Sequence, residues 1–145
     1  VMRMCYTHRR IFSQLVEQLM KEGKKDKALA ALEYVEKMVP AYNVPYDWLN
    51  GAAQMAEAYY QLGQTEKADK IMAAMANKAV EYLTWYLSMN DSHFLTSAYE
   101  FEFHLQMLSG EVRTMEKYKS KLTENYANKL DELYGMYVTR MKANR

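Results

Sequence analysis

Apolar residues recur along this chain at three- and four-residue intervals. Ile11, Phe12, Leu15, Val16, Leu19 and Met20 form one such stripe, which predicts a helix ending near Glu22 with Gly23 as its stop. Ala28, Ala31, Leu32, Val35, Met38 and Val39 form a second, closed by Pro40. The segment AYNVPYD (41–47) reads as a loop, with Pro45 disfavouring helix at Val44 and Asp47 placed to cap the next helix. That third helix should carry Leu49, Ala52, Ala56 and Tyr59 toward a core and stop at Gly63. A long fourth helix is expected through Ala68, Ile71, Met72, Met75, Ala79, Leu83 and Tyr86.

The stretch YEFEFHL (99–105) alternates like a strand, but Phe94, Ala98, Phe101, Leu105 and Leu108 keep the helical period for longer. A fifth helix capped by NDSHF is therefore expected. Gly110 should separate it from a sixth running through Met115, Tyr118, Leu122, Tyr126, Leu130, Leu133, Tyr137 and Met141. The expected fold is all-α: about six helices in three antiparallel hairpins, over residues 4–40, 47–90 and 91–143, within a single domain.

One spacing recurs. Gly-x-x-x-Lys-Ala occurs as Gly23 to Ala28 and again, forty residues on, as Gly63 to Ala68. A glycine in a tight turn, followed by an alanine one turn into the next helix, lets two antiparallel helices approach closely. This arrangement resembles the tetratricopeptide repeat family. The first unit matches in Gly23, Ala28 and Pro40; the second matches in Ala56, Tyr59, Gly63 and Ala68, with Val80 where the closing proline would stand, so its second helix should run on. The third has Gly110 but Met115 in place of alanine, and is expected to act as a degenerate cap. The resemblance implies a right-handed stack whose first helices line a groove.

A second resemblance rests on longer runs. RRIFSQLVEQLMKEGKKDKAL, VPYDW, AEAYYQLGQTEKAD and YLTWYLSM, within residues 3–90, resemble the C-terminal soluble tail of a bacterial family of multi-spanning membrane proteins of unknown function. The membrane core of that family is similar to C-type glycosyltransferases, the protein O-mannosyltransferases among them. This implies a tail on the extracytoplasmic side of an inner-membrane protein, whose transferase chemistry would lie upstream; no catalytic residue carries over.

Charge bears on partners. Residues 1–46 hold eight basic and five acidic side chains, residues 47–90 three and five, and residues 91–145 eight and eight, for a net charge of +1. No strongly basic face emerges, so nucleic acid is not an expected partner. KEGKKDK (21–27) is basic enough to touch anionic lipid, although a solvated turn explains it as well. A lone Cys5 leaves the redox compartment open, and no apolar run approaches the roughly 18 residues that span a bilayer.

Chemistry is sparse. Glu100 precedes His104 by four residues, which places a carboxylate and an imidazole on one helix face, yet two ligands do not make a metal site and a solvated i,i+4 pair is the simpler account. No phosphate-binding glycine loop or nucleophile–histidine motif is present, so neither cofactor nor metal is expected and the domain reads as non-enzymatic. Six of the twelve methionines fall in the stripes. Tyr59 with Tyr60, and Tyr82, Trp85 and Tyr86 together, cannot all point inward, so aromatic surface should be exposed.

The candidate groove residues are Arg10, Glu17 and Lys21 from the first hairpin, Asn50, Glu57 and Tyr60 from the second, and Glu100 and His104 from the third. Glu17 and Glu57 occupy equivalent positions, which would set two acids side by side. The expected partner is a protein or peptide, including the parent protein's own membrane core; a purely packing or dimerising element, or a small-ligand or enzymatic domain, is the alternative.

Overall fold

The computed structural model describes residues 2–144 and is all-α: seven α-helices and one 3-10 turn, with no strand among the described residues. The chain divides into two compact units, residues 1–75 and 76–145, with the boundary inside a helix.

The first unit contains α1 (Met2–Lys21), α2 (Lys25–Met38), a 3-10 turn (Trp48–Asn50), α3 (Ala52–Gln61) and the first half of α4 (Thr65–Ser88). Helix α1 packs on both α2 and α3. The forty-residue recurrence has a concrete origin in two identical turns. After α1, the Lys24 N–H donates to the Leu19 carbonyl at 2.9 Å and the Gly23 N–H to Met20 at 3.1 Å; after α3, Gln64 donates to Tyr59 at 2.8 Å and Gly63 to Tyr60 at 3.1 Å. This paired closure needs a left-handed residue at its fifth position, and Gly23 (φ 74°) and Gly63 (φ 77°) supply it. Ala28 and Ala68 are then fully buried.

The buried face of α1 differs from the predicted stripe. Val16 is buried, but Ile11 and Leu15 are about half exposed, while Arg9 and Ser13 are buried in their place. The reason is the approach of Gly51 (φ 80°): a Cβ there would lie 2.1 Å from Ser13 Oγ, so α1 must present a small residue at position 13. Met38 of α2 is exposed as well, whereas Ala28, Leu32, Val35 and Val39 are buried. Asp47 caps as expected, accepting from the Leu49 N–H at 3.0 Å. It caps a 3-10 turn that ends on Gly51 and swings Leu49 outward to 75 % exposure rather than into the core. Tyr59 and Tyr60, expected on opposite faces, are both buried because α3 is enclosed on two sides. The Tyr59 hydroxyl donates to Glu36 of α2 (2.7 Å) and the Tyr60 hydroxyl to Asp69 of α4 (2.6 Å).

Helix α4 runs on past Val80 to Ser88, burying Ala76, Ala79, Leu83 and Tyr86 in the second unit. There α5 (Asp91–Thr96), whose first turn is capped by Asn90, precedes α6 (Ala98–Lys117) and α7 (Thr123–Ala143). Phe94, Phe101, Leu108 and Met115, seven residues apart, are all fully buried. The helix reading of 99–105 holds. Two boundaries do not: a break at Ser97 adds a seventh helix, and Gly110 lies inside α6, so Met115 belongs to α6 and Tyr118 to its C-cap rather than to the last helix. The true turn repeats the closure of the first unit, with Ser120 donating to Met115 (2.8 Å) and Lys119 to Glu116 (3.0 Å). Its left-handed position is held by Lys119 (φ 53°) where the other two turns have glycine, which hides it from a search for Gly.

Candidate binding groove

Helices α1 and α3 border an open groove of about 490 Å³ in the first unit. Glu17, Met20 and Lys21 form one side; Gln54, Glu57, Ala58 and Gln61 form the other. The matched turns put Glu17 and Glu57 at the same register of their helices, and both line this groove. Glu17 also accepts from Lys21 one turn away at 3.1 Å, both side chains being more than half exposed. Met20 and the nearly buried Ala58 add apolar surface.

The other expected groove residues separate into several settings. Arg10 is exposed on α1 but does not line this groove. Asn50 is fully buried and committed to local structure: its Oδ1 accepts from the Asp47 N–H (3.1 Å) and its amide donates to the Pro45 carbonyl (2.9 Å). Tyr60 is buried against Asp69. These two therefore serve the fold rather than a ligand. Glu100 and His104 belong to the second unit, where Glu100 is exposed and the His104 ring stacks on Tyr82 with centroids 4.7 Å apart. Tyr82 and Trp85 expose their rings and Tyr86 does not, as the sequence required. A second recess of about 460 Å³ lies between α4 and α7, lined by Val80, Leu87, Leu133 and Met136 among others.

Sequence reasoning passed over the charged groups that the fold buries. Arg9 is fully buried; it donates to the Val39 carbonyl (2.6 Å) and the Pro45 carbonyl (3.0 Å) and lies over the Tyr46 ring at 4.9 Å. Burial lowers the pKa of its guanidinium and lifts the Tyr46 hydroxyl to about 12, with Glu36 adding to the latter. In the second unit, Glu111 of α6 is 3 % exposed and its Oε2 has no hydrogen-bond partner; burial lifts its carboxyl to about 8. Its position was a signal, since it falls between Leu108 and Met115 on the apolar stripe of α6. Arg140 of α7 donates to the carbonyls of Leu87 (2.6 Å) and Met89, reaches Asp91 at 3.0 Å and stacks on Phe94 at 4.2 Å.

Among the described residues, no three His, Cys, Asp or Glu side chains converge as a metal site would require, and no helix is long and apolar enough to cross a membrane. The groove can offer carboxylates, carboxamides and a shallow apolar floor, which suits reversible contact with a polar chain. No family model, curated protein or solved structure matches this chain.

Proposed function

We propose that this chain is a non-enzymatic polypeptide-binding or scaffolding domain of tetratricopeptide-like hairpins, stacked in a right-handed array, and that α1 and α3 form its recognition surface. The observation that carries this reading is the groove lined by both Glu17 and Glu57, in the register set by identical turns. The resemblance over residues 3–90 extends the proposal: the domain is the extracytoplasmic tail of a glycosyltransferase-like inner-membrane protein, and its partner is a polypeptide, either a loop of that parent or an acceptor chain.

The test is a pull-down from cell-envelope extract on the wild-type domain and on a Glu17→Lys, Glu57→Lys variant whose helicity is verified by circular dichroism. Specific capture by the wild type alone supports the reading, whereas equal capture by both places recognition elsewhere. The recess between α4 and α7 favours a second reading, in which the domain packs or dimerises through apolar surface such as the half-exposed Met136. Sedimentation of the wild type beside Met136→Lys separates the two, because only the second reading makes association depend on that side chain.

A further inference from the structure

The groove between α1 and α3 also limits what can occupy it, provided that it is the recognition surface proposed above. Gln54, Glu57 and Gln61 lie three and four residues apart, so they form one continuous row along α3. From Gln54 to Gln61 the row rises about 10 Å at 1.5 Å per residue, the length of about three residues of extended chain. Carboxamides at both ends of the row can each donate to a carbonyl and accept from an N–H, the two groups an extended backbone presents.

The charge at the centre is more selective. Glu57 on α3 and Glu17 on α1 contribute two carboxylates to the same groove, and the cation within it, Lys21, is held by Glu17 through an exposed pair that water screens well. A lysine or arginine side chain arriving from a ligand meets complementary charge and can take the place of Lys21 beside Glu17. An acidic ligand meets two like charges. We infer that the groove binds a short extended polypeptide segment through a basic side chain seated between Glu17 and Glu57, with Lys21 as an internal competitor for the same position.

The competitor makes the proposal distinguishable from general attraction to acidic surface, because removing Lys21 should strengthen binding. The experiment measures fluorescence anisotropy of three labelled nine-residue Gly/Ser peptides, carrying alternate Lys, alternate Glu or no charge, against the full 145-residue chain. The lysine peptide is expected to bind, tighter by a few-fold on Lys21→Ala and weaker by tenfold or more on Glu17→Gln, Glu57→Gln. A Glu124→Gln control on exposed α7 should change nothing. Unchanged affinity in the double variant, or an equal loss in the control, overturns the assignment of the basic side chain. Binding of the neutral or acidic peptide that is abolished by Gln54→Trp, a change on the exposed groove wall, would overturn the charge selection while preserving the groove. Failure of all three peptides to bind overturns both.

Discussion

A carboxyl group closed off from water without a hydrogen bond to one of its oxygens is held in its neutral form, because the ionised form would lose its hydration and gain nothing in return. Glu111 is such a group, lifted from 4.5 to about 8 by burial. Above about pH 4.5 the unfolded chain releases this proton while the folded chain retains it, so folding takes up a proton and stability falls as pH rises. The decline continues to about pH 8, where the folded form ionises too, and each unit of displacement is worth about 1.4 kcal/mol. Glu111→Gln keeps the shape and removes the titration. Urea unfolding at pH 5 and pH 8.5 should show a midpoint that drops with pH in the wild type by more than in the variant, and the variant should be the more stable at pH 8.5. Parallel midpoints in the two proteins would contradict the burial of an ionisable carboxyl at this position.

At the level of the helix ends, four substitutions separate backbone conformation from available space. Gly63→Ala forces a Cβ onto a left-handed residue in open space and should cost about 1–2 kcal/mol. Gly51→Ala carries the same backbone cost and adds contacts of 2.1 and 2.8 Å with Ser13, so it should be the more damaging of the two. Gly110→Ala, in the middle of α6 with nothing within reach of the new methyl, should stabilise by up to about 1 kcal/mol; a glycine required for a turn there would give the opposite sign. Lys119→Gly relieves the left-handed lysine and should also stabilise, by about 1 kcal/mol. Thermal melts of the four variants check both order and sign. The same positions explain how far the helices were legible in the sequence. Gly23 and Gly63 mark their turns because glycine both permits and advertises the conformation, whereas the turn at Lys119 carries no such mark and the most visible nearby glycine, Gly110, lies mid-helix. Leu49 and Ile11 were misplaced because periodicity reports which side chains are apolar, and the close approach of Gly51 to Ser13 decides which of them are covered.

Across the whole molecule, both units use one device. In the first, Arg9 from α1 gathers the carbonyls of Val39 and Pro45 beneath the Tyr46 ring; in the second, Arg140 from α7 gathers those of Leu87 and Met89 and stacks on Phe94. Each guanidinium meets the negative end of a helix, that of α2 or of α4, where backbone carbonyls lack intrahelical partners. Arg9→Met should destabilise by about 2–3 kcal/mol, since the buried Val39 carbonyl loses its arginine donor while Pro45 keeps the Asn50 amide. Arg140→Met, whose carbonyl acceptors are only part-buried, should cost less, about 1–2 kcal/mol. Hydrogen exchange should locate the loss, with faster amide exchange at residues 39–50 for the first and 87–96 for the second. The all-helical class and the groove acids were legible because both derive from spacing; the arginines were not, because their partners are main-chain atoms that every sequence possesses. A clasp on carbonyls is indifferent to which side chains the clasped segment carries and intolerant of any change in how many residues it contains. Between positions 39 and 46, drift among homologous chains should therefore conserve length and, outside the buried Val39, Val44 and Tyr46, alter letters readily: Asn43→Ser should leave the melting temperature nearly unchanged, and deletion of Asn43, which pulls Val39 and Pro45 out of joint reach of Arg9, should cost far more than any single replacement at the exposed Tyr42 or Asn43.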